Sequence, residues 1–180
     1  MEVGKPNPAW LRRQAAARAH QPKKIRLLIL GDSPASEDGG FYLPGAMDPI
    51  FEEICTVLLE EKPAGEKEPY LKELKRRGVF YVELKPDAPR ADENLADYVP
   101  PLLINLGILA PEHVVFVTPA VYEAAYRPLA KAGLPVVDVR VPEPSKETEF
   151  RQKLRQALVR ADLEKLIRPR PKPRAKPATE

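Results

Sequence analysis

At 180 residues, the chain fits one domain with ends, and no apolar run approaches the ~20 residues a membrane-spanning helix needs. Its single cysteine, Cys55, excludes an internal disulfide and any cysteine-ligated cluster or zinc knuckle, so neither a metal nor another cofactor is expected. The net charge of +3 is unevenly spread: residues 1–24 carry six basic and one acidic side chain and residues 168–180 five and one, leaving 18 and 24 between them, a net of −6.

The first 24 residues read as a basic arm whose Trp10 docks it on the body. "MEVGKPNPAWLRR" lacks the apolar core of a secretory signal, so a cytoplasmic protein without a membrane partner is expected. Three Asn, four Gln and two Met beside 22 Pro lean towards a heat-adapted composition. From residue 25 to 167 the pattern is that of a single domain. Four short runs rich in β-branched residues, 25–31, 79–84, 113–118 and 135–141, read as buried parallel strands. Segments of helical character separate or follow them at 48–61, 69–77, 95–106, 119–131 and 146–165, the last with Phe150, Leu154 and Leu158 near the helical period. This alternation predicts an α/β fold, a three-layer α/β/α sandwich whose four-stranded parallel sheet has the order 2-1-3-4. The final stretch, "RPRPKPRAKPATE" (168–180), alternates proline with basic residues. It reads as an extended tail, either solubilising or contacting nucleic acid through its charge.

Ligand sites in such folds lie at the carboxyl ends of the strands, where four proline-bearing loops gather here. Gly31, Asp32, Ser33 and Pro34 leave the first strand. Asp32 suits activation of a water or, equally, bonding of nearby backbone N–H groups in a tight loop. Pro34 stiffens that loop on either account. Phe41 and Tyr42 follow two glycines, and one of them is expected to wall a pocket for a flat ring; the alternative is a plug beneath the loop. Glu83 ends the second strand, where a carboxylate pairs with Lys85 or Arg90 or accepts from the exocyclic amine of cytosine or adenine. Ser145 stands before the last helix as an N-cap or a phosphate contact.

Gly31-Asp32-Ser33 after an apolar strand resembles the first block of the GDSL-type esterases, in which the serine is the nucleophile. That chemistry needs a histidine base, and the only histidines are His20, in the arm, and His113, at the start of a strand. A longer resemblance is to the uracil-DNA glycosylase superfamily. "GDSPASEDGGFYLPGAMDPIFEEIC" is similar to its first motif through Gly31, Asp32, Pro34, Glu37, Gly40, Phe41 and Gly45. "VFYVELKPDAPR" is similar to the next strand, and "VPEPSKETEFRQKLRQAL" takes the place of its His-Pro-Ser loop and last helix. The resemblance spans residues 25–160 and implies a repair enzyme hydrolysing an N-glycosidic bond of a base in DNA or another nucleic acid. Asp32 would handle water and Phe41 would stack. Glu143 stands where the family has its histidine, and Glu83 where it has the asparagine that reads uracil. A base- or nucleotide-binding module without hydrolysis is therefore the second implied function. On either account Asp32, Phe41, Glu83 and Ser145 are expected to converge on one pocket.

Overall fold

Leu27–Gly31 forms β1, the central strand, buried along its whole length as expected of a strand covered on both faces. It pairs in parallel with β2 (Val79–Glu83) on one side and with β3 (Val114–Phe116) on the other, giving the order β2-β1-β3. The computed structural model describes residues 7–87 and 93–174.

Alternate β1 residues face opposite layers. Leu27 and Ile29 pack with Phe51, Ile54 and Leu58 of α2 (Pro49–Leu59), with Tyr70, Leu71 and Leu74 of α3 (Glu68–Arg77), and with Phe150 and Leu154 of the last long helix. Leu28 and Leu30 pack on the other face, against Leu102 and Leu106 of α4 (Val99–Leu109) and Val121, Ala125 and Leu129 of α5 (Pro119–Lys131). The last long helix, α6, spans Glu147–Arg160. Prolines open α2, α3, α4 and α5 within their first two positions, where a missing N–H costs no intrahelical bond. Helices on both faces of a small parallel sheet agree with the predicted class.

The expected fourth strand is not formed. Residues 135–141 make only isolated parallel bridges, Val136 with Val114 and Val141 with Val117. Pro135 has no N–H to give. The Val136 N–H turns back to Leu134 O (2.8 Å) and the Val139 N–H to Val137 O (2.9 Å). Such tight turns withdraw donors that a ladder would need. The run still flanks β3, the place predicted for it, so the sheet has three strands rather than four.

Within the amino-terminal segment read as an arm, Pro8–Ala19 forms a helix, α1. Asn7 caps it by accepting from the Ala9 N–H at 2.9 Å, and Pro8 occupies its first turn. Polar bonds fasten it to the body. Arg13 donates to Glu37 O (2.6 Å) and Pro86 O (2.9 Å), Arg12 pairs with Asp38 (3.0 Å), and Lys75 donates to Ala19 O (2.8 Å). No helix among the described residues is long and apolar enough to cross a membrane.

Candidate functional site

A cavity of about 440 Å³ runs between α1, the outer edge of β2 and α4. This lies within the ~300–1,000 Å³ typical of small-molecule sites. Trp10, Arg13 and Arg18 line it from α1, Tyr42 from the loop after β1, Phe80 to Glu83 from β2, and Asn105 from α4. The β2 edge forms one wall because β2 is an outer strand with no neighbour beyond it among the described residues.

Tyr42 seals part of that edge. Its hydroxyl donates to Tyr81 O (2.9 Å) and accepts from the Tyr81 N–H (2.7 Å), satisfying both outward backbone groups of one residue. Burial holds the Tyr42 phenol well above its usual range, so it stays a donor. Its ring stacks on His20, with centroids 5.6 Å apart. Phe41 is buried and stacked on Tyr81 at 4.3 Å, with its edges against Tyr42 and Phe51. Phe41 thus reaches the cavity while its ring is largely spent on the core. Trp10 is half-buried and lines the same cavity without an aromatic partner among the described residues. It is the open aromatic wall, where sequence alone suggests only a docking residue.

Glu83 is the titratable centre of this site. Burial, with Asp48 adding to it and the Arg13 guanidinium opposing, pushes its carboxyl from an ordinary 4.5 up to about 8. The expected partner Lys85 instead pairs with Glu93, and Arg90 lies outside the described residues. Arg13 also lines the cavity, and among the described residues its buried Nε has no hydrogen-bond partner. The wall therefore presents a protonatable carboxyl, with the Arg13 side chain beside it.

The remaining expected site residues lie elsewhere. Asp32, Ser33, Pro34, Glu143 and Ser145 do not line the cavity. The Asp32 backbone carbonyl accepts from the Lys85 N–H at 2.9 Å, and burial together with the Asp32 charge raises the Glu143 carboxyl above its ordinary value. The two acids thus sense each other at the carboxyl edge of the sheet. Ser145 is exposed; Lys146, not Ser145, holds the N-cap position of α6, and no side chain caps it. Gly31 has a packing reason. A Cβ there would stand 2.0 Å from the Tyr81 hydroxyl oxygen. At the end of β3, Thr118 is buried at φ 76° with its Oγ1 unpartnered among the described residues, a backbone state β-branched residues seldom hold. Nothing in the sequence marks it.

Neither histidine serves Ser33. His20 bonds Ala16 O (2.8 Å) and Glu68 (2.9 Å), and His113 precedes β3 at the amino end of the sheet. Among the described residues, no three acidic, histidine or cysteine side chains gather as a metal site. No protein-family model matches the chain, and no curated protein matches it.

Proposed function

We propose that the chain binds a nucleobase or nucleotide in the cavity between α1 and the β2 edge, on a fold that resembles the uracil-DNA glycosylase superfamily, and does not cleave it. The observation that carries this reading is the meeting of Glu83, Arg13 and Trp10 on one cavity that Asp32 does not line. A carboxyl that is largely protonated near neutral pH offers one O–H donor and one carbonyl acceptor. Adenine and cytosine present the complement, an exocyclic amine beside an accepting ring nitrogen. Trp10 supplies a face for the ring, an interaction worth ~1–3 kcal/mol. Against hydrolysis stands the separation of the water-handling candidate Asp32 from the base-sized space.

Trp10 is the only tryptophan, so its fluorescence reports the cavity directly. Titration with adenosine and cytidine is expected to quench it, Glu83→Ala to weaken that response, and Glu83→Gln, which keeps one donor and one acceptor, to retain it. No response to any nucleoside overturns the binding reading. Release of free base from an oligonucleotide by the wild type, abolished in Asp32→Asn, would replace it with the hydrolytic one.

A further inference from the structure

A second concavity, of about 500 Å³, opens near the amino ends of the strands, where the chain enters β1 beside α3. Lys23, Lys24 and Arg26 line it from the segment before β1, and Lys72, Lys75 and Arg76 from α3; no acidic side chain lines it. Four of these six cations, Arg26, Lys72, Lys75 and Arg76, belong to residues 25–167, whose net charge is −6. The compensation of the cluster is weak. Lys24 pairs with Glu112 (2.6 Å), Lys72 with Glu68 (3.8 Å) and Arg76 with Glu73 (2.7 Å), and all three cations are more than half exposed. Exposed pairs of this kind contribute ~0–1 kcal/mol and open readily to a competing anion. Among the described residues Lys23 and Arg26 have no ion pair.

Arg77 joins this surface to the basic tail. It is buried, bonds Glu73 (2.7 Å), and donates to Leu58 O (2.6 Å), Leu166 O (2.7 Å) and Pro169 O (3.2 Å). The tail, with Arg168, Lys172 and Arg174, therefore starts beside α3 rather than at a remote end of the molecule.

We propose that this concavity, extended by the tail, is a docking surface for the phosphodiester backbone of a nucleic acid. Several cations from two segments, facing one hollow, suit a row of phosphates that each need only a point charge. A protein partner would need an aromatic or large aliphatic anchor to desolvate, and apart from Pro22 the hollow is lined by basic side chains and Gly78. A bilayer surface would need a flat patch rather than a concave one. The proposal stands apart from the base-binding cavity and does not depend on it.

The test uses the full chain and a fluorescein-labelled thymidine oligonucleotide of about 20 nucleotides, followed by anisotropy between about 50 and 200 mM salt. Removing one cation from a phosphate should lower the log–log salt slope by about 0.7 for a single strand. Lys23→Glu, Arg26→Glu and Lys72→Glu together are expected to weaken binding at least tenfold at the lower salt and to reduce the slope by about two. The milder Lys23→Gln and Lys72→Gln pair, which leaves the fold under less strain, should move both readouts in the same direction. Nucleoside quenching of Trp10 should not change in either variant, which separates this proposal from the base reading. Unchanged affinity and slope in variants that melt like the wild type overturn the proposal. So does equal competition by polyglutamate or by anionic vesicles, which would assign the surface to another class of partner.

Discussion

Replacing Glu83 by glutamine should change how the stability of this protein depends on pH. In the folded chain the Glu83 carboxyl holds its proton up to about pH 8, against an ordinary value of 4.5. Between those values the native state binds a proton that the unfolded state has released, so stability falls as pH rises through the window and the loss is complete above it. At ~1.36 kcal/mol per pH unit, the interval bounds the cost of ionisation at about 5 kcal/mol. Water entry and movement of the Arg13 guanidinium reduce that, leaving an expected cost of about 2–4 kcal/mol. The glutamine amide cannot ionise, and it keeps the size and the carbonyl acceptor. Urea unfolding of both proteins at about pH 5 and pH 9 should therefore show similar stability at the lower pH. At the higher pH the variant should be more stable by that amount. Stability curves that stay parallel across the window refute the reasoning, because no other titrating group differs between the two proteins.

Tyr42→Phe strips both hydrogen bonds from the Tyr81 backbone at a buried edge, and chemical denaturation should register a loss of about 2–3 kcal/mol. Gly31→Ala forces a Cβ into the Tyr81 ring and should cost at least about 1–3 kcal/mol, with part of the loss recovered in Gly31→Ala/Tyr81→Leu. Thr118→Gly relieves a positive-φ backbone, so calorimetry should show a gain of about 1 kcal/mol rather than the loss usual for glycine. Burial pushes the Cys55 thiol well above its ordinary range, so a thiol reagent should modify it only at the rate of unfolding; rapid labelling of the native protein would contradict its placement.

The sheet was legible because a parallel strand covered on both faces must be apolar throughout, and "LLIL" and "VFYV" are. The three-strand core and the helices on both faces follow from that pattern. The fourth run carries the same apolar signal, yet its backbone leaves the ladder. Its valines still bury, at Val137, Val139 and Val141, and it is burial, not hydrogen bonding, that the hydrophobic pattern reports.

The cavity was less legible because its outer wall comes from a helix whose sequence carries no apolar stripe. "PAWLRRQAAARA" buries only Ala9 and Arg13 among its twelve residues, so periodicity gives no reason to dock it. What docks it is Arg13, reaching carbonyls at Glu37 and Pro86, 24 and 73 residues away, and no local signal announces such partners. One trace of this packing does exist in the sequence. A Cβ on Gly40 would stand 3.1 Å from Arg13 Cδ, so the second glycine of "EDGGFY" is where the arginine stem passes closest. Buried Lys67 fixes the same point by donating to Gly40 O at 3.1 Å. The glycines suggest a loop opened for a ligand, with Phe41 as its stacking wall. They instead let α1 close over the β2 edge, which turns Phe41 into core and leaves Trp10 as the aromatic face. The cavity thus lies at the sheet edge rather than the carboxyl edge, away from Asp32. That placement is why Glu83 and Arg13, rather than Asp32, are among the side chains that line it.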